Sequence, residues 1–121
     1  MAEYLPVNTP GQALVSTASA SITGGQLLAV SGSGTVAAAG AATQAWVGVA
    51  AFDTASGDLV TVFAGGVQEL VASGAITAGA AVVSGAAGTV ASSATPAAAT
   101  QVGVALTTAA DGAKVRVKLA R

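Results

Sequence analysis

Val47-Gly48-Val49-Ala50 returns as Val102-Gly103-Val104-Ala105, and the match continues from Gly57 to Gly112, Val60 to Val115 and Val62 to Val117 at a constant offset of 55 (102 − 47). Upstream, Ile22-Thr23-Gly24-Gly25 returns as Ile76-Thr77-Ala78-Gly79 and Thr35-Val36-Ala37 as Thr89-Val90-Ala91, at an offset of 54 (76 − 22). The shared positions are chiefly Gly, Val and Thr, residues that set turns and fill strand faces. No acid or base is repeated. What the duplication carries is an architecture and not a reactive site.

The segments between turn residues read as short strands. They are Gln12–Thr17, Gln26–Ser31, Thr35–Ala38, Ala45–Phe52, Asp58–Ala64, Val67–Ala72, Ala81–Ser84, Thr89–Ser92, Gln101–Thr107 and Ala113–Leu119. The last is the clearest, because Val115, Val117 and Leu119 alternate with Lys114, Arg116 and Lys118, giving one apolar and one cationic face. Its counterpart keeps Val60 and Val62 on the apolar face but has Thr61 where Arg116 stands. Gly65-Gly66 predicts a tight hairpin between the strands on either side. Gly40, Pro96 and the surrounding Ser and Thr turn the Ala-rich stretches 37–45 and 92–100 into loops. The expected fold is all-β, a small β-barrel or β-sandwich of two pseudo-repeated halves, about 20–66 and 74–121, within one domain over residues 12–121. Strand order, and hence the choice between barrel and sandwich, is invisible at this level.

With 121 residues the chain fits one domain, and each half is small to stand alone. Hydrophobic residues make up 53%, yet much of that is Ala, and the aromatics are only Tyr4, Trp46, Phe52 and Phe63. Such a core leaves a small margin over conformational entropy, so association between subunits is expected. Trp46, present in one half only, reads as core filler or as an interface anchor, with core favoured because large side chains are scarce.

Residues 1–11 read as an extended arm. Tyr4-Leu5-Pro6-Val7 is apolar, Pro6 and Pro10 block regular pairing, and Gly11 permits a turn into the body. The start is acidic and interrupted by proline, unlike a signal peptide. Polar residues break every apolar run before it could span a membrane, so a protein made in the cytoplasm with no membrane partner is expected.

All four basic side chains, Lys114, Arg116, Lys118 and Arg121, lie in the last eight residues, and the formal net charge is −1. That argues against nucleic acid, whose binding rests on many phosphate contacts. The cations could instead meet an acidic partner surface, or simply protect a strand edge. Asp53 and Asp58 bracket a Gly turn and could be weighed as Ca²⁺ ligands, but two acids fall short of the six to eight oxygens required, and a β-turn is the simpler reading. Without His or Cys, no base is at hand to activate the many Ser and Thr, and the Gly-rich turns lack a following Lys-Ser/Thr. No catalytic residue, cofactor, metal or small-molecule substrate is expected.

These motifs, in this order, resemble the small capsid decoration, or cement, proteins of tailed bacteriophages. The likeness runs through Tyr4-Leu5-Pro6-Val7 and Pro10-Gly11, Ile22 to Leu27, Val47 to Ala50, Gly57 to Val62, and Gly66-Val67 followed by Ala75 to Gly79. It implies an all-β protein bound to the outer face of a phage head, a homotrimer whose partner is the major capsid protein and which stabilises the head lattice. It also implies that the arm, Glu3, Tyr4, Leu5, Pro6, Val7, Asn8, Thr9 and Pro10, reaches onto the capsid. The competing readings are a tail or fibre module, with or without glycan binding, and an enzyme.

Overall fold

The computed structural model describes residues 12–121, so the arm from Glu3 to Pro10 lies outside the described residues. Each of the ten expected strands forms, with ends within two residues of expectation: β1 Leu14–Ala18, β2 Leu27–Gly32, β3 Thr35–Ala38, β4 Trp46–Ala50 and β5 Leu59–Phe63 in the first half. In the second half they are β6 Val67–Val71, β7 Ala81–Ser84, β8 Val90–Ser92, β9 Gln101–Ala105 and β10 Lys114–Leu119, with one 3₁₀ turn at Ala86–Gly88. No helix among the described residues is long and apolar enough to cross a membrane.

Strands β1 to β5 close into a barrel in the order β1-β3-β2-β4-β5, and β6 to β10 form a sheet in the order β6-β10-β9-β7-β8. Replacing each strand of the first half by the one five later gives the same cyclic order. Barrel closure in the first half is the parallel β1–β3 pairing, Thr17 beside Thr35 and Ala18 beside Val36. In the second half the same place holds a single parallel bridge, Ala72 to Val90, the residues 54 beyond Ala18 and Val36. The second half is therefore the same barrel with its seam narrowed to one bridge.

Register is conserved with the topology. Leu14, Val15, Ser16 and Thr17 lie opposite Val62, Thr61, Val60 and Leu59, and Gln68, Glu69, Leu70 and Val71 lie opposite Val117, Arg116, Val115 and Lys114. A one-residue slip would turn every side chain to the wrong face, so a buried face on each strand holds this register. In β10 the alternation is complete: Val115, Val117 and Leu119 are buried and the intervening cations exposed.

The interiors show why the composition is poor in aromatics. One core cluster, inside the first barrel, is Ala18, Ile22, Leu28, Val36, Ala50, Val60 and Val62. Their counterparts at +54 or +55, Ala72, Ile76, Val82, Val90, Ala105, Val115 and Val117, all lie in the other cluster. A five-stranded barrel is narrow, and its lumen is filled by small and branched side chains with no room for rings. Close approach also explains the glycine of the repeated Val-Gly-Val-Ala. A Cβ on Gly48 would collide with the carbonyl of Phe63, and one on Gly103 with the carbonyl of Lys118.

The expected Gly65-Gly66 hairpin does not form. Both glycines have positive φ, 70° and 67°, but β5 is already paired on both edges, with β1 and β4, and β6 pairs with β10. The glycines instead carry the chain from one barrel to the other.

Leu27 and Ala29 flank Leu28 on β2 and so face away from the first barrel's interior. With Ala39, Trp46 and Val49 they join the second barrel's interior in one continuous cluster. The halves thus share a core, and the loop after β3 closes the joint. Ala39 O accepts from Gly88 N at 2.9 Å, Ser84 O accepts from Ala42 N at 2.8 Å, and Ser84 Oγ accepts from Thr43 N at 3.0 Å.

Candidate functional site

The four cations separate into two groups. Lys114, Arg116 and Lys118 project from β10 on its exposed face, where Arg116 Nε stands 3.3 Å from Glu69 Oε1. Arg121 lies past the strand and folds back across the joint between the barrels. Its guanidinium sits 4.3 Å from the centre of the Trp46 ring and donates to the carbonyls of Gln44 and Trp46 at 2.8 and 2.9 Å. Trp46 itself is buried, in agreement with the core reading, and has no ring face to offer a sugar. Its counterpart by register is Gln101.

Asp53 braces a turn. Its Oδ1 accepts the Gly24 N–H at 2.7 Å, and at the equivalent place in the second half Thr108 Oγ1 accepts the Ala78 N–H at 3.0 Å. A neutral hydroxyl replaces the carboxylate there, so the position requires an acceptor and not a charge. A cleft of about 250 Å³ lies where the halves meet, lined from the first half by Thr23 to Gln26 and from the second by Ala87 to Thr89, Val71 and Lys114. Within it Gln26 accepts from Thr23 N and donates to Ala87 O, and Thr89 Oγ1 donates to Ala86 O. Lys114 is its one charged lining residue.

The outward face of the β1–β5 pair differs between the two halves. Val15, Leu59 and Phe63 are 62%, 64% and 45% exposed. Val15 lies directly opposite Thr61, and Leu59 and Phe63 are the same-face neighbours of Thr61 on β5, so the three surround it. Diagonal neighbours at this spacing are within reach of long and aromatic side chains. By register the equivalent positions of the second barrel are Glu69, Lys114, Arg116 and Lys118. At these four positions the first copy carries three apolar residues and Thr61, and the second carries four charges. The second face is legible in the sequence through its alternation; the first is not, because Val15 joins β5 only through strand pairing.

Comparison with known proteins bears on the family and the fold. The model of the phage cement protein family matches residues 8–119. Among solved structures the chain is similar to the N base of the head fiber gp8.5 of bacteriophage phi29, with TM-score 0.73, 22% identity, and 90% of this chain and 93% of that chain covered. No curated protein sequence matches. The all-β double barrel is thus a fold found in a phage head structure, and the family match spans both halves: the chain belongs to the phage cement proteins, structural proteins of the virion that bind the capsid.

Proposed function

We propose that this protein seats on the outer surface of a phage head as a homotrimer, contacts the major capsid protein and stabilises the capsid lattice. The observation that carries the proposal is the family match across both barrels. Physical features support it. The paired barrels display no assembled catalytic constellation among the described residues, and four of the chain's nine charges (4 + 5) are gathered on one face. Many modest contacts repeated over a lattice hold firmly, because each occupied site raises the effective concentration at its neighbours. The arm from Glu3 to Pro10, with Tyr4, Leu5 and Val7 as its apolar contacts, supplies part of each attachment. It is not an enzyme in this reading and needs no cofactor.

The test is add-back to heads assembled without this chain. The full chain should bind at a copy number close to that of the major capsid subunit or a simple fraction of it, and raise the temperature at which heads lose DNA. A variant lacking residues 2–10 should bind at least about tenfold more weakly. Equal affinity of the truncated chain would remove the arm from the proposal. The likeness to a head-fiber base favours one second reading, in which the domain carries a fibre at a few positions; a handful of copies per head would select it.

A further inference from the structure

We infer that the Val15–Leu59–Phe63 face is the surface of the body that seats on the capsid, against an uncharged, apolar patch of the capsid subunit. The inference rests on the capsid-binding reading above and names the face that performs it.

The duplicated unit supplies an internal control. The two barrels share seven interior positions, strand order and register, so the fold makes the same demand on the outward faces of β1–β5 and β6–β10. Those faces nevertheless differ at four positions, although Val67, opposite Lys118, is an exposed apolar residue on the second. Val15, Leu59, Thr61 and Phe63 occupy the places that Glu69, Lys114, Arg116 and Lys118 occupy in the second barrel. The second barrel shows that this backbone accepts a charge at each of the four positions. Folding therefore does not require the first barrel to expose two large aliphatic side chains and a phenylalanine there. Exposed apolar clusters of this kind mark contact surfaces.

The occupant is indicated by where the arm joins the body. Residues 1–11 lead into Gln12 two residues before Leu14, and Leu14 is paired with Val62, the residue between Thr61 and Phe63. The arm therefore joins the fold at the border of the apolar face. Val7 and Tyr4 are five and eight residues from Gln12, within about 17 and 27 Å at full extension. Arm and face can thus engage one partner side by side, each raising the effective concentration of the other. The first half adds no charged side chain between Tyr4 and Phe52. A partner matching this stretch is neutral and apolar, whereas a strongly acidic one would be drawn to the second barrel's three cations.

The experiment exchanges counterpart residues. Leu59→Lys with Phe63→Lys installs on the first barrel the residues that the second carries at those places, and Lys114→Ala with Lys118→Ala is the matched change on the other face. Both full-length double variants and the wild type are titrated onto heads lacking this chain, with thermal unfolding and sedimentation of each free protein. The expected result is wild-type folding and oligomeric state for both variants, with affinity lowered at least about tenfold for the first and less than about threefold for the second. Unchanged affinity of the Leu59/Phe63 variant while wild type binds would overturn the inference and leave the capsid-binding reading standing. A change in its sedimentation would also overturn it, by giving the face to a second copy of this chain. Failure of wild type itself to bind would remove the reading on which the inference rests.

Discussion

The guanidinium of Arg121 lies 4.3 Å from the centre of the Trp46 ring while donating to the Trp46 carbonyl at 2.9 Å. One residue near the chain's end thus holds the ring and the backbone of the same tryptophan, which joins the two barrels. Cation–π contacts are worth about 0.5–2 kcal/mol according to desolvation. Arg121→Ala should therefore lower stability by about 1–2 kcal/mol, measured by denaturant unfolding. A double-mutant cycle with Trp46→Phe should show coupling, since the phenyl ring attracts the cation less.

Trp46 carries a second liability. Its Nε1–H is buried and has no hydrogen-bond partner among the described residues. Trp46→Ala opens a cavity and should cost about 3–5 kcal/mol. Trp46→Phe should cost less than half as much, because it removes an unsatisfied donor along with part of the ring. Equal losses for the two variants would show that the indole N–H is satisfied.

Gly48 and Gly103 should respond alike. An alanine methyl at either would meet a backbone carbonyl that cannot rotate away, so Gly48→Ala and Gly103→Ala should each cost about 3 kcal/mol or more. Gly40 has nothing within 4 Å of its would-be Cβ. Gly40→Ala should be neutral, or stabilise by about 0.4–1 kcal/mol through the unfolded chain. Thermal unfolding of the three variants checks the contrast.

Ser84 is buried and accepts the Thr43 N–H. Ser84→Ala leaves that amide unpaired and should cost about 1–3 kcal/mol. Hydrogen exchange should show the loss at residues 42–43 before it reaches β7, because the loop after β3 is held to the second barrel through this residue.

Glu69 and Arg116 form an ion pair between side chains 52% and 63% exposed. Exposed pairs contribute little, so Glu69→Gln should change stability by less than about 1 kcal/mol, and the difference should shrink in about 1 M salt. A larger, salt-independent loss would mean that Glu69 is holding something other than Arg116.

The sequence by itself determined the ten strands, the turns between most of them and the existence of two copies. All of these follow from local alternation and from glycine spacing, which act over a few residues. Trp46 was legible as core because few other side chains could fill one. What only the tertiary structure decided depends on which strand lies beside which. Gly65-Gly66 looks like a hairpin locally, yet barrel closure had already taken both edges of β5. Ser84 and Val30 are counterparts, yet Ser84 is buried beneath the loop after β3 and Val30 is exposed. Arg121 belonged to a basic tail until the fold brought it 75 residues back along the chain to Trp46. The apolar face required Val15 to be placed against Thr61, 46 positions (61 − 15) later. Such contacts between distant residues come from closing a sheet on itself and packing one barrel on another, and a local pattern carries no information about either.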